Sequence, residues 1–163
     1  MKKDKTEIKV GKPAPAFVLK GSDGKEHSPA DYLGKTVVLY FYPKDNTPGC
    51  TKEACAFREL HSKLKRKKTV VLGISRDSLT SHGEFIKKFK LPFVLLSNPD
   101  ASVMKAYGAF GEKMQYGKMV MGPIRATVII GPDGLVCKHW KKIAKAEEHP
   151  AKVLEFLESC GKQ

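Results

Sequence analysis

The chain of 163 residues lacks any apolar run approaching the roughly 20 residues of a membrane-spanning helix, and it has no internal repeat and no low-complexity tract. Those absences point away from a helical membrane protein, a repeat array and a disordered linker, and predict a soluble chain with no membrane partner. Cysteine is scarce. Cys50, Cys55, Cys137 and Cys160 are too few and too unevenly spaced for the framework of a small secreted scaffold. In a reducing compartment each must be either a packed thiol or a reactive one. The opening stretch "MKKDKTEIKVGKPAPAF" has lysines but no apolar segment behind them, so no secretory leader is expected and the expected location is cytoplasmic. Acidic residues are also short, 17 against 30 Lys and Arg, which leaves a net charge of +13. Such a surplus suits nucleic acid or a membrane surface. The lysines are scattered, however, with denser points at 63–68 and 139–142 and no Arg-rich or aromatic-interleaved segment beside them. A solvated basic surface is expected, with no nucleic-acid partner; an acidic protein partner would also suit it.

What remains is a chain of one-domain length, 1–163, with 41% hydrophobic residues. "AFVLKGSDGKEHS" (16–28) predicts two extended pieces about a Ser22-Asp23-Gly24 turn, an N-terminal β-hairpin. "TVVLYFYP" (36–43) is β-branched and aromatic throughout, which predicts a strand covered on both faces. Ala54, Phe57, Leu60 and Leu64 recur at helical spacing from Cys50 to about Lys65, and "TVVLGIS" (69–75) reads as a second buried strand. Strand, helix, strand predicts a crossover with a parallel pair. "SHGEFIKKFKL" (81–91) predicts a helix capped by Ser81 with Glu84 three positions on. "PFVLL" (92–96) predicts a strand, "ASVMKAYG" (101–108) a short helix ending at Gly108, and 125–140 a hairpin turning at Pro132-Asp133-Gly134. A helix over 150–159, with Val153, Leu154 and Leu157 inward, closes an α/β chain with a mixed central sheet and helices on both faces.

Chemistry concentrates at "PKDNTPGC" (43–50). Thr47 suits a helix N-cap and Pro48 suits the first helical position, where its missing N–H costs nothing. Cys50 then stands at the third position. There a thiolate meets the positive end of the helix dipole and the free N–H groups of the first turn. The C-terminal end of a central strand followed by a helix start is also where open α/β sheets place their sites. The turn residues Pro48 and Gly49 give the segment the look of an exposed helix entrance, so Cys50 is read as reactive rather than as a small packed hydrophobe. Glu53, one turn later on the same face, opposes ionisation of Cys50, so a nearby cation is required.

Pro43, Thr47 and Cys50 match the P-x-x-x-T-x-x-C motif of peroxiredoxins, and "GCTKEACAFRE" resembles the peroxiredoxin Q (bacterioferritin comigratory protein) branch. The likeness continues in the same order through "GISRDSLTSHGEF", "LPFVLLSNPD", "AYGAFGEK" and "MGPIRATVII", from about Val10 to Leu157. It implies a thioredoxin-like fold and thiol-dependent reduction of hydrogen peroxide and organic hydroperoxides, with thioredoxin or a similar dithiol as reductant. It also implies that Cys50 is the peroxidatic thiol, that Thr47 hydrogen-bonds thiolate and peroxide, that Pro43 shields the site, and that Arg125 is the required cation. Cys55 takes the position of the resolving cysteine found in some members, so a Cys50–Cys55 disulfide is implied; simple packing of Cys55 is the alternative. Val128 and Gly131 stand where the family usually has Phe and Asp, a departure that bears on packing.

Cys137 and Cys160 read as structural, and His82, following Ser81, as a helix-start or surface residue. No cofactor is implied, and Cys50, Cys55 and His61 offer no ligand pair at zinc spacing. A monomer is expected. Two rival readings stay open: a general thiol–disulfide oxidoreductase, against which the four-residue gap between Cys50 and Cys55 counts, and a nucleic-acid or holdase-like binder using the basic surface.

Overall fold

The computed structural model describes residues 8–160. Strands β1 (Leu19–Lys20) and β2 (Glu26–His27) pair antiparallel about the Ser22-Asp23-Gly24 turn, and a 3₁₀ turn at Pro29–Tyr32 leads into β3 (Thr36–Phe41). The chain continues through α1 (Pro48–Arg66), β4 (Thr69–Ser75), α2 (Leu79–Phe89), β5 (Val94–Ser97), α3 (Ser102–Ala106), β6 (Phe110–Gln115), β7 (Lys118–Pro123), β8 (Ala126–Ile130), β9 (Val136–Trp140) and α4 (His149–Cys160). Among the described residues no helix is long and apolar enough to cross a membrane.

Five strands form the central sheet in the order β5-β4-β3-β8-β9. β3 pairs parallel with β4, and β4 with β5, while β8 runs antiparallel to both β3 and β9. The sheet is therefore mixed, with β3 at its centre. Because successive strand residues point to opposite faces, Val37, Leu39 and Phe41 enter one core with Met104 of α3 and Tyr107. Val38 and Tyr40, with Tyr42 just beyond the strand, enter the other, together with Ala54 and Phe57 of α1, Phe85 of α2 and Val153 and Leu154 of α4. Helices thus cover both faces in a thioredoxin-like arrangement. The Tyr40 ring sits where it does because its register partner on β4 is Gly73, where a Cβ would fall 2.9 Å from the ring.

Two features differ from expectation. Helix α2 begins three residues earlier than the Ser81 cap implies: Ser78 is the N-cap and accepts from Ser81 N, while the Ser81 hydroxyl donates to Asp45 instead. The β6–β7 hairpin is new, because Met114, Met119 and Met121 are all exposed and its sequence shows no buried alternation. Its one legible sign is Tyr116-Gly117, both at positive φ, the turn that favours a two-residue hairpin. In α4, Val153, Leu154 and Leu157 are buried as expected; the Cys160 side chain lies outside the described residues.

Candidate active site

Topology brings the site together. Antiparallel pairing sets Ala126, the first residue of β8, beside Phe41, the last of β3, so Arg125 enters the sheet next to the point where the chain leaves β3 for α1. The β3–α1 loop carries Pro43, Asp45 and Thr47. Thr47 has the extended backbone of an N-cap and Pro48 takes the first helical position, yet the Thr47 side chain does not cap the helix. Its hydroxyl donates back to Lys44 O at 2.8 Å, which folds the loop and leaves the hydroxyl's lone pairs as acceptors.

Cys50 is at the third helical position but only 1% exposed, unlike the open helix entrance expected from its neighbours. Pro48 and Gly49 do lie toward the surface; the helix turns Cys50 inward onto the face that also buries Ala54 and Phe57. Arg125 reaches it there. One guanidinium nitrogen, Nη2, lies 3.4 Å from Cys50 Sγ, while Nη1 donates to Glu53 Oε1 at 2.7 Å. Gly49 permits this approach, since a Cβ at that position would stand 3.1 Å from Nη2. The cation required by Glu53 is therefore shared between Glu53 and the thiol.

Glu53 is fully buried, and burial pushes its carboxyl up to about 7 against the pull of Arg125. Its second oxygen, Oε2, has no hydrogen-bond partner, and neither does the buried Tyr40 hydroxyl. Burial, and then the charges of Glu53 and Cys50, hold that hydroxyl well above the usual tyrosine range. On the hairpin side Lys113 donates to Pro123 O at 2.6 Å, and burial followed by the charge of Arg125 lowers its proton affinity.

The loop is clamped from behind. Asp45 accepts from the Tyr42 hydroxyl at 2.5 Å and from Ser81 Oγ at 2.8 Å, and it pairs with His82 Nδ1 at 2.7 Å. His82 is fully buried rather than at the surface, with Nε2 3.0 Å from Leu96 O. The Asp45 N–H donates to Asp77 Oδ2, which also accepts from Ser75 Oγ. Asp45, Asp77 and His82 bring three ligand-capable atoms within 4.8 Å of one another. All three groups are occupied by protein hydrogen bonds, so the cluster serves as a clamp.

Cys55 is half-buried on α1, beside a groove of about 480 Å³ lined by Thr51, Ala56, Leu60 and Ala151 with Lys52 and Glu59. Cys137 packs beside Gly131, where a Cβ would lie 3.0 Å from its sulfur, so the absence of a larger residue at 131 is matched by the thiol. Cys50 and Arg125 thus meet at one end of the sheet, with Pro43 and Thr47 on the loop that leads from β3 into α1 and Cys55 about a turn and a half further along the helix. Asp45, His82 and Tyr40 complete the surroundings without any sequence signal of their own. Glu53 had one, its i+3 spacing from Cys50.

Residues 10–139 match the AhpC/TSA family model. The chain is 46% identical to a putative peroxiredoxin bcp of Coxiella burnetii, over 92% of this chain and 99% of that one. It is 40% identical to peroxiredoxin Bcp of Bacillus subtilis, over 96% and 99%. A solved structure concerned with alkyl peroxide reduction by the Xanthomonas campestris bacterioferritin comigratory protein superposes with a TM-score of 0.85 at 35% identity, covering 93% of this chain and 99% of that one.

Proposed function

Because this chain belongs to the AhpC/TSA family, in its Bcp and peroxiredoxin Q branch, and is a thiol-dependent peroxidase, we propose that Cys50 is the thiol that attacks the peroxide. The observation that carries this reading is the 3.4 Å approach of Arg125 Nη2 to Cys50 Sγ at the start of α1. The Cys50 thiolate attacks the nearer peroxide oxygen; the O–O bond breaks and its electron pair leaves on the far oxygen, which departs as water or an alcohol after taking a proton. Cys50 becomes a sulfenic acid. Arg125 supplies donors and positive charge where negative charge shifts onto the leaving oxygen, and the first-turn amides of α1 add to it. Thr47 offers its hydroxyl oxygen to the peroxide O–H, and Pro43 shields the site from water.

Cys55 then condenses with the sulfenic acid, releasing water and forming a Cys50–Cys55 disulfide. A dithiol, thioredoxin or a similar protein, reduces it by thiol–disulfide exchange. The substrates are hydrogen peroxide and organic hydroperoxides; the alkyl peroxide activity of the X. campestris relative supports the second group. The chain works as a monomer in the cytoplasm and takes no nucleic-acid or membrane partner. Peroxidase turnover with a thioredoxin system, on wild type and each Cys→Ser variant, tests the scheme. It requires turnover that depends on both Cys50 and Cys55, and insulin reduction without peroxide would favour a general oxidoreductase instead.

A further inference from the structure

We propose that Cys50 and Glu53 share one proton across Arg125, so that Glu53 holds the proton Cys50 gives up as its thiolate forms. This rests on the reading of Cys50 as the attacking thiol. Two acids, each 1% exposed or less, contact a single guanidinium. With both ionised the three groups carry a net negative charge in a buried setting, and with both protonated a net positive one. Either state is costly away from water. The neutral total is kept by Cys50–SH with Glu53–COO⁻, or by Cys50–S⁻ with Glu53–COOH; one proton moves and no other bond changes.

The surroundings decide which acid keeps it. Lys113 of β6 interacts with the Cys50 charge, and Arg76, after β4, adds to the positive field at Lys113. The cation that acts on Glu53 is Arg125, and its Oε2 has no partner. The excess positive charge therefore lies on the sulfur side, which favours the thiolate and leaves the proton on the carboxyl. From β3 the Tyr40 hydroxyl faces both acids as a neutral group. His149, at the start of α4, feels Arg125 and is itself held neutral by burial. Asp45, whose charge also reaches Tyr40, is paired with His82. Glu53 acts through Arg125 and is a positioning residue for charge, distinct from the reacting sulfur.

Two readouts on the reduced full chain near neutral pH test this, and neither uses peroxide. In the infrared, a protonated-carboxyl band present in wild type and lost in Glu53→Gln should also be lost in Cys50→Ser, where Glu53 ionises against the freed Arg125. Gln mimics the protonated carboxyl, so Glu53→Gln should keep the pH midpoint for iodoacetamide alkylation of Cys50, mapped by peptide, within about 0.3 pH unit of wild type, whereas a carboxylate ionised beside the thiol would make the same substitution lower it by about one pH unit. Gln keeps a carbonyl for Arg125 Nη1, so the guanidinium stays in place in this comparison, and a residue that merely held it would leave the carboxyl band unchanged in Cys50→Ser. A carboxyl band that persists in Cys50→Ser, or an alkylation midpoint lowered by about one pH unit in folded Glu53→Gln, overturns the proposal. If Glu53→Gln does not fold, Cys50→Ser with Cys50→Ala decides it by the infrared band. Peroxide turnover surviving in Cys50→Ser would instead remove the catalytic reading and leave the measured coupling standing.

Discussion

Cys50 and Cys55 stand five residues apart on one unbroken helix, Cys50 sealed from solvent and Cys55 half-buried beside the groove against α4. Five residues of regular helix give about 7.5 Å of rise and about 140° of rotation, and so about 8.6 Å between Cα atoms. A disulfide needs roughly 4.4–6.8 Å. The two sulfurs therefore join only after the first turns of α1 unwind. Oxidation should convert part of 50–58 from helix to loop and present the reductant with a mobile disulfide. Amide hydrogen exchange on the two redox states, with disulfide mapping, checks this; equal protection of 50–58, or a bond from Cys50 to Cys137 or Cys160, contradicts it.

Removing Arg125 has two separable consequences. Arg125→Ala should slow the reaction with peroxide by about 100-fold, the usual cost of losing a donor aimed at developing negative charge. Above neutral pH, where Glu53 would otherwise ionise, it also leaves that buried carboxylate without its cation, which destabilises the fold. Arg125→Ala combined with Glu53→Gln should regain stability in urea unfolding without regaining the rate. A double variant that recovers both would make Arg125 a structural residue only.

The Asp45–His82 pair holds the loop that carries Pro43 and Thr47. His82→Ala removes one of three side-chain partners of the buried Asp45 carboxyl group and should cost about 1–3 kcal/mol of stability. Asp45→Asn with His82→Gln keeps a hydrogen bond between the two side chains and should lose much less. Urea unfolding of the three proteins distinguishes a clamp from a dispensable surface pair.

Two buried groups give stability opposite pH slopes. Burial, then the charges of Lys152 and Arg125, lowers His149 to about 4, and its Nε2 lies 2.9 Å from Thr127 Oγ1. Between about pH 6.5 and 4 the unfolded chain binds this proton and the folded chain does not, so stability falls as pH falls. Glu53, raised by burial to about 7, is the reverse: the folded chain holds its proton from about 4.5 to 7, and that contribution is lost as pH rises. His149→Gln should flatten the acid-side loss, and Glu53→Gln should gain most, relative to wild type, above neutral pH. Denaturant unfolding at about pH 4.5, 6 and 8 reads both slopes.

The apolar runs at 36–43 and 69–75 made β3 and β4 legible, because a strand buried on both faces needs continuous β-branched and aromatic residues. The turn residues around 22–24 and 132–134 did the same for two hairpins. The start of α1 was legible from Thr47-Pro48, but the burial of Cys50 was not, since it depends on which way the helix turns against the sheet. The Ser78 cap was obscured by Ser81, which offered a better local pattern while its hydroxyl was engaged by Asp45, 36 residues away. That long-range bond has no local signature. The same holds for His82 and for the unpartnered Tyr40 hydroxyl.

Cys50 is the sulfur proposed to meet the peroxide. The most direct test mixes fully reduced protein with a slight excess of hydrogen peroxide under rapid mixing, and follows peroxide loss together with the mapped site of sulfenic-acid labelling. Wild type, Cys137→Ser and Cys160→Ser should consume peroxide rapidly. Cys55→Ser should do so once and retain the label on Cys50, and Cys50→Ser should show neither consumption nor label. Rapid peroxide loss in Cys50→Ser, or a label that appears first on another cysteine, would contradict the account.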